Sequence, residues 1–190
     1  MPPRKHHAEH TFDLEGRESA TIVVIADTHS RPHPDARKHI TALRPDLILH
    51  AGDIGKLTVV DDFGKIAPTV AVRGNIDGHE FPDTARLCID RGETTLARLA
   101  LTHIAVRGPR LRRDARALAE RHDAQLVVCG HSHVPLVATE QGITVFNPGS
   151  IGPRRFTLPI TFGVMKISES GIRLSHVDCE TGERWLPPRI

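Results

Sequence analysis

The chain contains no tyrosine, one tryptophan and six phenylalanines among its 190 residues. Stacking platforms like those of many single-strand nucleic-acid binders would have to be built from those seven rings, which argues weakly against such a module. Cysteine is scarce too. Cys88, Cys129 and Cys179 are widely spaced and form no CxxC pair, so neither a disulfide framework nor a thiolate zinc site is indicated. Long apolar runs are missing: residues 21–26 and 126–129 fall far short of a bilayer span, and the opening MPPRKHHAEH lacks the apolar core of a signal peptide. The expectation is a cytoplasmic protein with no membrane partner. Neither sign of charge dominates, since 25 Lys and Arg face 23 Asp and Glu, so no whole-protein field for polyanions is implied.

What remains suits one globular domain, with 39% hydrophobic and 25% charged residues and 13 histidines. Residues 1–20 are polar and lack a sustained period, so a loose leader with a short ordered stretch near Phe12 to Leu14 is expected there, with His6, His7 and His10 in a solvated tail and one domain over 21–190. TIVVIAD from Thr21 and DLILHAGD from Asp46 are runs of the kind that form strands buried on both faces. Between them Ala36, Ile40 and Leu43 recur at helical spacing, giving a βαβ unit. TVAVRGN supplies another strand, and residues 84–90 and 94–102 form an antiparallel pair around Arg91-Gly92. Helical spacing of Leu111, Ala115, Leu118 and Ala119 predicts a helix from Pro109 onward, before the buried run QLVVCGH. Residues 134–139, 143–146, 160–167 and 172–178 read as shorter strands. An α/β first half followed by a β-rich half implies two facing sheets.

Metal-capable side chains follow these strands one after another. Asp27 and His29 follow the first, Asp53 the second, Asn75 the third, His103 the run LARLALT, and His131 and His133 the run QLVVC. In open α/β sheets that carboxyl edge is where ligands bind. Imidazole, carboxylate and amide donors without thiolate suit manganese, iron, zinc, nickel or cobalt better than calcium. Seven donors exceed one tetrahedral site and suit two ions sharing a carboxylate, for which Asp53 is the natural bridge. A lone DxH or GD at a strand end is usually a turn or a helix cap, but five such signals in so short a chain are hard to attribute to turns.

Asp27-x-His29, Gly52-Asp53, Gly74-Asn75-x-Asp77, His103 and Gly130-His131-x-His133 resemble, in order, the motif set of the calcineurin-like metallophosphoesterase superfamily. The single domain and the later Asn147-Pro148-Gly149-Ser150 look most like its small bacterial and archaeal phosphodiesterases, a subgroup similar to the retromer sorting subunit. The resemblance implies a four-layered α/β sandwich, two facing sheets flanked by helices. It also implies one ion on Asp27, His29, Asp53 and His133, and another on Asp53, Asn75, His103 and His131, with manganese favoured. Asp53, Asn75 and His103 would then be catalytic. Larger relatives have a His directly after the Asn to protonate the leaving group; here Ile76 stands there, and Asp77 and His79 are the nearest candidates.

The chemistry so implied is in-line attack on a phosphodiester by a hydroxide shared between two metals. A small diester is the favoured substrate. Three other outcomes stay open: a phosphomonoesterase, a non-catalytic scaffold of the same fold, and a nuclease or RNA-end phosphodiesterase. The last is suggested by Arg107, Arg110, Arg112, Arg113, Arg116 and Arg121, although charge on the solvated face of an amphipathic helix is the ordinary explanation. Arg73 and Lys56 lie near enough in sequence to bind phosphate, with exposed ion pairing the ordinary alternative. His50 is expected behind the ligands rather than among them.

Overall fold

The computed structural model describes residues 6–186. In chain order the first elements are β1 (His7–Asp13), β2 (Ser19–Ile25), α1 (Ala36–Ala42), β3 (Leu47–His50), α2 (Thr58–Gly64) and β4 (Thr69–Ala71). The middle of the chain forms β5 (Thr84–Arg91), β6 (Thr94–Thr102), β7 (Val106–Arg107), β8 (Arg110–Leu111), α3 (Arg113–Arg121) and β9 (Leu126–Val128). It closes with β10 (Leu136–Glu140), β11 (Ile143–Asn147), β12 (Thr161–Ser168), β13 (Gly171–Asp178) and β14 (Arg184–Trp185). One sheet has the order β1-β5-β6-β9-β11-β10, the other β14-β13-β12-β2-β3-β4, and β7-β8 is a small hairpin.

Successive side chains of a strand point to opposite faces, so a strand buried on both sides feeds two cores. In β2, Ala20, Ile22 and Val24 enter the core between the sheets, while Val23 and Ile25 join Ala36 and Ile40 of α1 and Val59 and Phe63 of α2. Leu47 and Leu49 of β3 face the first core and Ile48 the second. On the other sheet, Leu99, Leu126 and Phe146 meet β2 and β3, whereas Ala100, Val127 and Val145 pack with Ala115 and Ala119 of α3. The layers are therefore α1 with α2, sheet, sheet, α3: the expected four-layered α/β sandwich. Among the described residues no helix is long and apolar enough to cross a membrane.

Three expectations need correction. Residues 7–13 are not a loose leader: β1 pairs in parallel with β5 from His7↔Thr84 to Asp13↔Asp90, and His7 Nδ1 lies 2.6 Å from Thr84 Oγ1. Residues 1–5 lie outside the described residues. The helix expected from Pro109 starts at Arg113, because Gly108, at φ +59°, and Pro109 form the turn of the β7-β8 hairpin. Arg107 and Arg110 thus stand on the hairpin rather than on a helix face. The short helix α2 had no counterpart in the sequence reading.

Candidate metal centre

The parallel strands β2, β3 and β4, and the parallel pair β6 and β9, deliver their C-terminal ends to one edge. Beyond its last residue the β2-β3 ladder continues as a chain of backbone bonds: Asp27 N–H to Gly52 O at 2.9 Å, His29 N–H to Asp53 O at 2.9 Å and Ser30 N–H to Ile54 O at 2.8 Å. The loop after β9 is tied to β6 by Gly130 N–H to His103 O at 3.0 Å. Within these segments Asp27, His29, Asp53, His131 and His133 all have φ between +45° and +69°. Aspartate and histidine enter that region more readily than most residues, and each such residue costs about 1–2 kcal/mol. Strain of this kind clusters at functional sites.

The seven predicted ligands converge. His133 Nε2 lies 3.4 Å from Asp27 Oδ1 and 3.4 Å from His29 Nε2, and the His29 and His133 rings stack. Asp53 straddles the cluster, with Oδ1 at 3.3 Å from His103 Nε2 and Oδ2 at 3.8 Å from His29 Nε2. Asp27, His29 and His133 form one compact group of candidate metal donors, and Asp27, Asp53 and His103 another. Asn75 Nδ2 lies 3.2 Å from His131 Nδ1, and the His131 ring stands edge-on to His103 at the exposed rim.

Three of the imidazoles are shifted toward the neutral form that ligates, whereas Asp27 and His103 are shifted toward holding a proton that an ion would displace. His103 Nδ1 donates to Ala51 O at 2.8 Å, which leaves Nε2 facing the carboxylates, buried and without a hydrogen-bond partner. His133 Nδ1 is likewise buried and unpartnered. Burial lowers His29 and His131 below the ordinary imidazole range and takes His133, with Arg155 nearby, down to about 4. Burial alone would lower His103 as well, but Asp53 beside it reverses the direction. Burial pushes Asp27 up to about 7, with His103 opposing and Asp53 adding to the rise. Burial would raise Asp53 too, yet His103 and the N–H groups of Ile76 and Asn75 hold it below its ordinary range. Buried imidazoles with unused nitrogens around two adjacent carboxylates fit divalent transition-metal ions.

Neighbouring groups brace this arrangement. His50 is fully buried behind Asp53, as expected; its Nδ1 accepts from Gly52 N–H at 3.2 Å and its Nε2 faces Thr28 Oγ1 at 3.0 Å. Asn147 Nδ2 donates to Gly130 O at 2.7 Å and Ser132 Oγ at 3.1 Å, and Ser150 Oγ donates to Asp27 O at 3.1 Å. Gly74 is required: a Cβ there would overlap the backbone nitrogen and Oδ1 of Asp53. Asp77, a candidate proton donor in the sequence, instead spends its carboxylate on the N–H groups of Ile54, Gly55 and Gly74 at 2.7–3.1 Å. Its geometry is that of a clamp between loops. His79 is exposed nearby on the same loop, and Arg73 pairs with Asp83 at 2.8 Å. Arg155, which sequence reasoning missed, places Nη2 at 3.2 Å from His29 Nε2.

Residues 21–170 match the calcineurin-like phosphoesterase superfamily domain. A protein of Methanothermobacter thermautotrophicus named "probable metallophosphoesterase" is 31% identical over 167 residues, which span 85% of this chain and 92% of that protein. Vacuolar protein sorting 29 of Cryptosporidium parvum has a similar fold, with a TM-score of 0.71 at 18% identity over 89% of this chain and 96% of that one. An archaeal phosphodiesterase is similar at a TM-score of 0.64 and 21% identity, over 83% and 99% respectively. At these identities the two structures speak to the fold alone.

Proposed function

The chain belongs to the calcineurin-like phosphoesterase superfamily, and we propose that it is a phosphodiesterase with a dinuclear metal centre, manganese being the favoured ion. The observation that carries this reading is the convergence of seven nitrogen and oxygen donors, from five strand ends, around Asp27 and Asp53. Bound there, divalent ions lower the pKa of a coordinated water and offset charge on the phosphoryl oxygens.

The protein's own groups do the rest. Asp53, held ionised by His103 and backbone N–H groups, faces both halves of the cluster and fixes their spacing. Asn75 and His131 stand at the exposed mouth, where an entering ester meets them first. Arg155 now donates to the nitrogen of His29 that faces the cluster. Once that nitrogen is committed to an ion, the guanidinium is free to orient non-bridging phosphoryl oxygens. Hydrolysis forms a bond from water oxygen to phosphorus and breaks the bond to the leaving oxygen, which takes up a proton. With Asp77 committed to backbone groups, that proton comes from solvent at the open mouth. Asp27 and Asp53 would offset only part of the charge of two divalent cations, leaving a net positive site for the single negative charge of a diester.

The test is hydrolysis of a chromogenic phosphodiester by metal-stripped protein with manganese restored, beside a chromogenic monoester. The expected result is activity only with metal, favouring the diester, and a loss of about 100-fold or more in Asp53→Asn, at least that of disturbing a metal ligand's support. Full metal-dependent activity in Asp53→Asn would remove the bridging role. Preference for the monoester would make the protein a phosphomonoesterase, and silence without metal binding would favour the scaffold.

A further inference from the structure

Four arginines are placed where they work against the fold. Arg107 and Arg110 stand directly opposite each other in the β7-β8 register, and like charges so paired destabilise a hairpin. Arg112 and Arg113 stand at the N-terminal end of α3, where the helix dipole already concentrates positive charge. All four are exposed. Among the described residues only Arg112 of the four has a carboxylate partner, its neighbour Asp114. Such an arrangement is relieved by an external anion.

The patch adjoins the metal centre. Arg112 is a shared wall of two grooves: one of about 370 Å³ reaches from Asn75 and His103 past Ile104, and one of about 710 Å³ continues over Arg107, Arg110 and Arg113. On the other side of the cluster Arg155 contacts His29, while the ion pair of that loop belongs to Arg154 and Glu180. Arg112 and its partner Asp114 line both grooves, so the guanidinium groups left without a carboxylate are Arg107, Arg110 and Arg113 beyond them, more than the single charge of a small diester uses. Exposed apolar side chains accompany them: Ile76, Val134 and Phe156 are 53%, 43% and 93% exposed and directly follow Asn75, His133 and Arg155. The ring of Phe156 can stack against a base, and Ile76 and Val134 add apolar contact, whereas a bare polyphosphate has no use for either.

We infer that the substrate is a single strand of nucleic acid, with the scissile phosphodiester at the metal centre beside Arg155 and neighbouring phosphates on Arg107, Arg110 and Arg113. The cleavage step rests on the phosphodiesterase reading above. Water oxygen bonds to phosphorus, the bond to one strand's oxygen breaks, and that oxygen takes a proton, leaving one phosphomonoester end and one hydroxyl end.

The experiment measures anisotropy of fluorescent twelve-nucleotide DNA and RNA strands with metal-free protein from 50 to 200 mM salt. Wild type is compared with the exposed double variant Arg107→Gln/Arg110→Gln, and both are assayed with manganese on the chromogenic diester. Wild-type binding is expected to weaken roughly 50-fold over that range, from about four phosphate contacts at a slope of −0.7 each. The double variant should bind about tenfold more weakly at low salt, with a salt slope shallower by about 1.4. Its hydrolysis of the chromogenic diester should stay within twofold of wild type. Equal oligonucleotide binding by wild type and variant, or equal binding of a polyphosphate of matched charge, would overturn the inference while diester hydrolysis kept the phosphodiesterase reading intact. Strand binding lost in the variant, in a protein that hydrolyses no diester, would uphold the surface and overturn the catalytic reading instead.

Discussion

At the scale of single residues, the hydrogens behind the site are fixed by elimination. Gly52 N–H can only donate, so His50 Nδ1 accepts and Nε2–H donates to Thr28 Oγ1, whose own hydrogen goes to Ile54 O at 2.9 Å. This chain joins the neighbours of Asp27, His29 and Asp53, and it needs a neutral imidazole. Burial lowers His50 to about 3 in the folded protein, against an ordinary value of 6.5. The unfolded chain therefore binds a proton below pH 6.5 that the native state refuses until about pH 3. Stability from this residue is complete above pH 6.5 and is lost as pH falls toward 3, at about 1.4 kcal/mol per unit. Between pH 7 and pH 5 the metal-free protein should lose about 2 kcal/mol through His50 alone. Urea denaturation of wild type and His50→Gln at both pH values checks this. The variant starts less stable but should lose about 2 kcal/mol less on acidification; parallel losses would place the acid sensitivity elsewhere, for example at His133 or His176.

At the scale of elements, β1 carries a consequence that composition hid. It covers the edge of β5 with seven paired residues, and Ala8 and Phe12 pack against the inter-sheet core. Deleting residues 1–13 removes that apolar cover, about 2 kcal/mol for the phenylalanine, and bares a strand edge. The melting temperature should fall by roughly 4–8 °C, with concentration-dependent association by light scattering and little change in hydrolysis per folded molecule, since no metal ligand lies there. Unchanged melting would mean that β1 adds nothing to the fold. In the sequence β1 was illegible because most of its residues face water and only Ala8 and Phe12 signal a period. By contrast β2, β3 and β9 were legible, since strands buried on both faces leave unbroken apolar runs. The helix forecast from Pro109 found α3 but began it too early, because Leu111 fits helical spacing yet belongs to a hairpin that turns at Gly108. The ligands were readable because each is an aspartate, asparagine or histidine just past a strand. Arg155 was not, since it sits in an irregular loop 126 residues from the histidine it touches. Asp77 looked like an acid because two of its three amide partners, 22 and 23 residues upstream, leave no mark in the local sequence.

At the scale of the molecule, the ligands divide between the sheets. Asp27, Asp53 and Asn75 extend β2, β3 and β4, whereas His103, His131 and His133 extend β6 and β9 of the facing sheet. Ions bound among them staple the two sheets at one edge, and the donor groups, several of them at strained positive φ, are dispersed in the unfolded chain. Ligand that binds only the native state stabilises it by about 4 kcal/mol at a thousand times its Kd. For a chain of this length that raises the melting temperature by roughly 8–16 °C. The rise also depends on pH, because Asp27 holds a proton up to about pH 7 in the metal-free protein and an ion must displace it. Metal stabilisation should therefore be weaker at pH 6 than at pH 8. Thermal melts with manganese and then with chelator, at both pH values, measure this directly. Wild type should show a saturable, chelator-reversible rise that is larger at pH 8, and Asp53→Asn less than a third of it. An equal rise in wild type and Asp53→Asn would move the ion away from the strand ends, leaving the carboxyl edges of the two sheets joined by direct contacts such as His103 to Ala51 and His131 to Asp27.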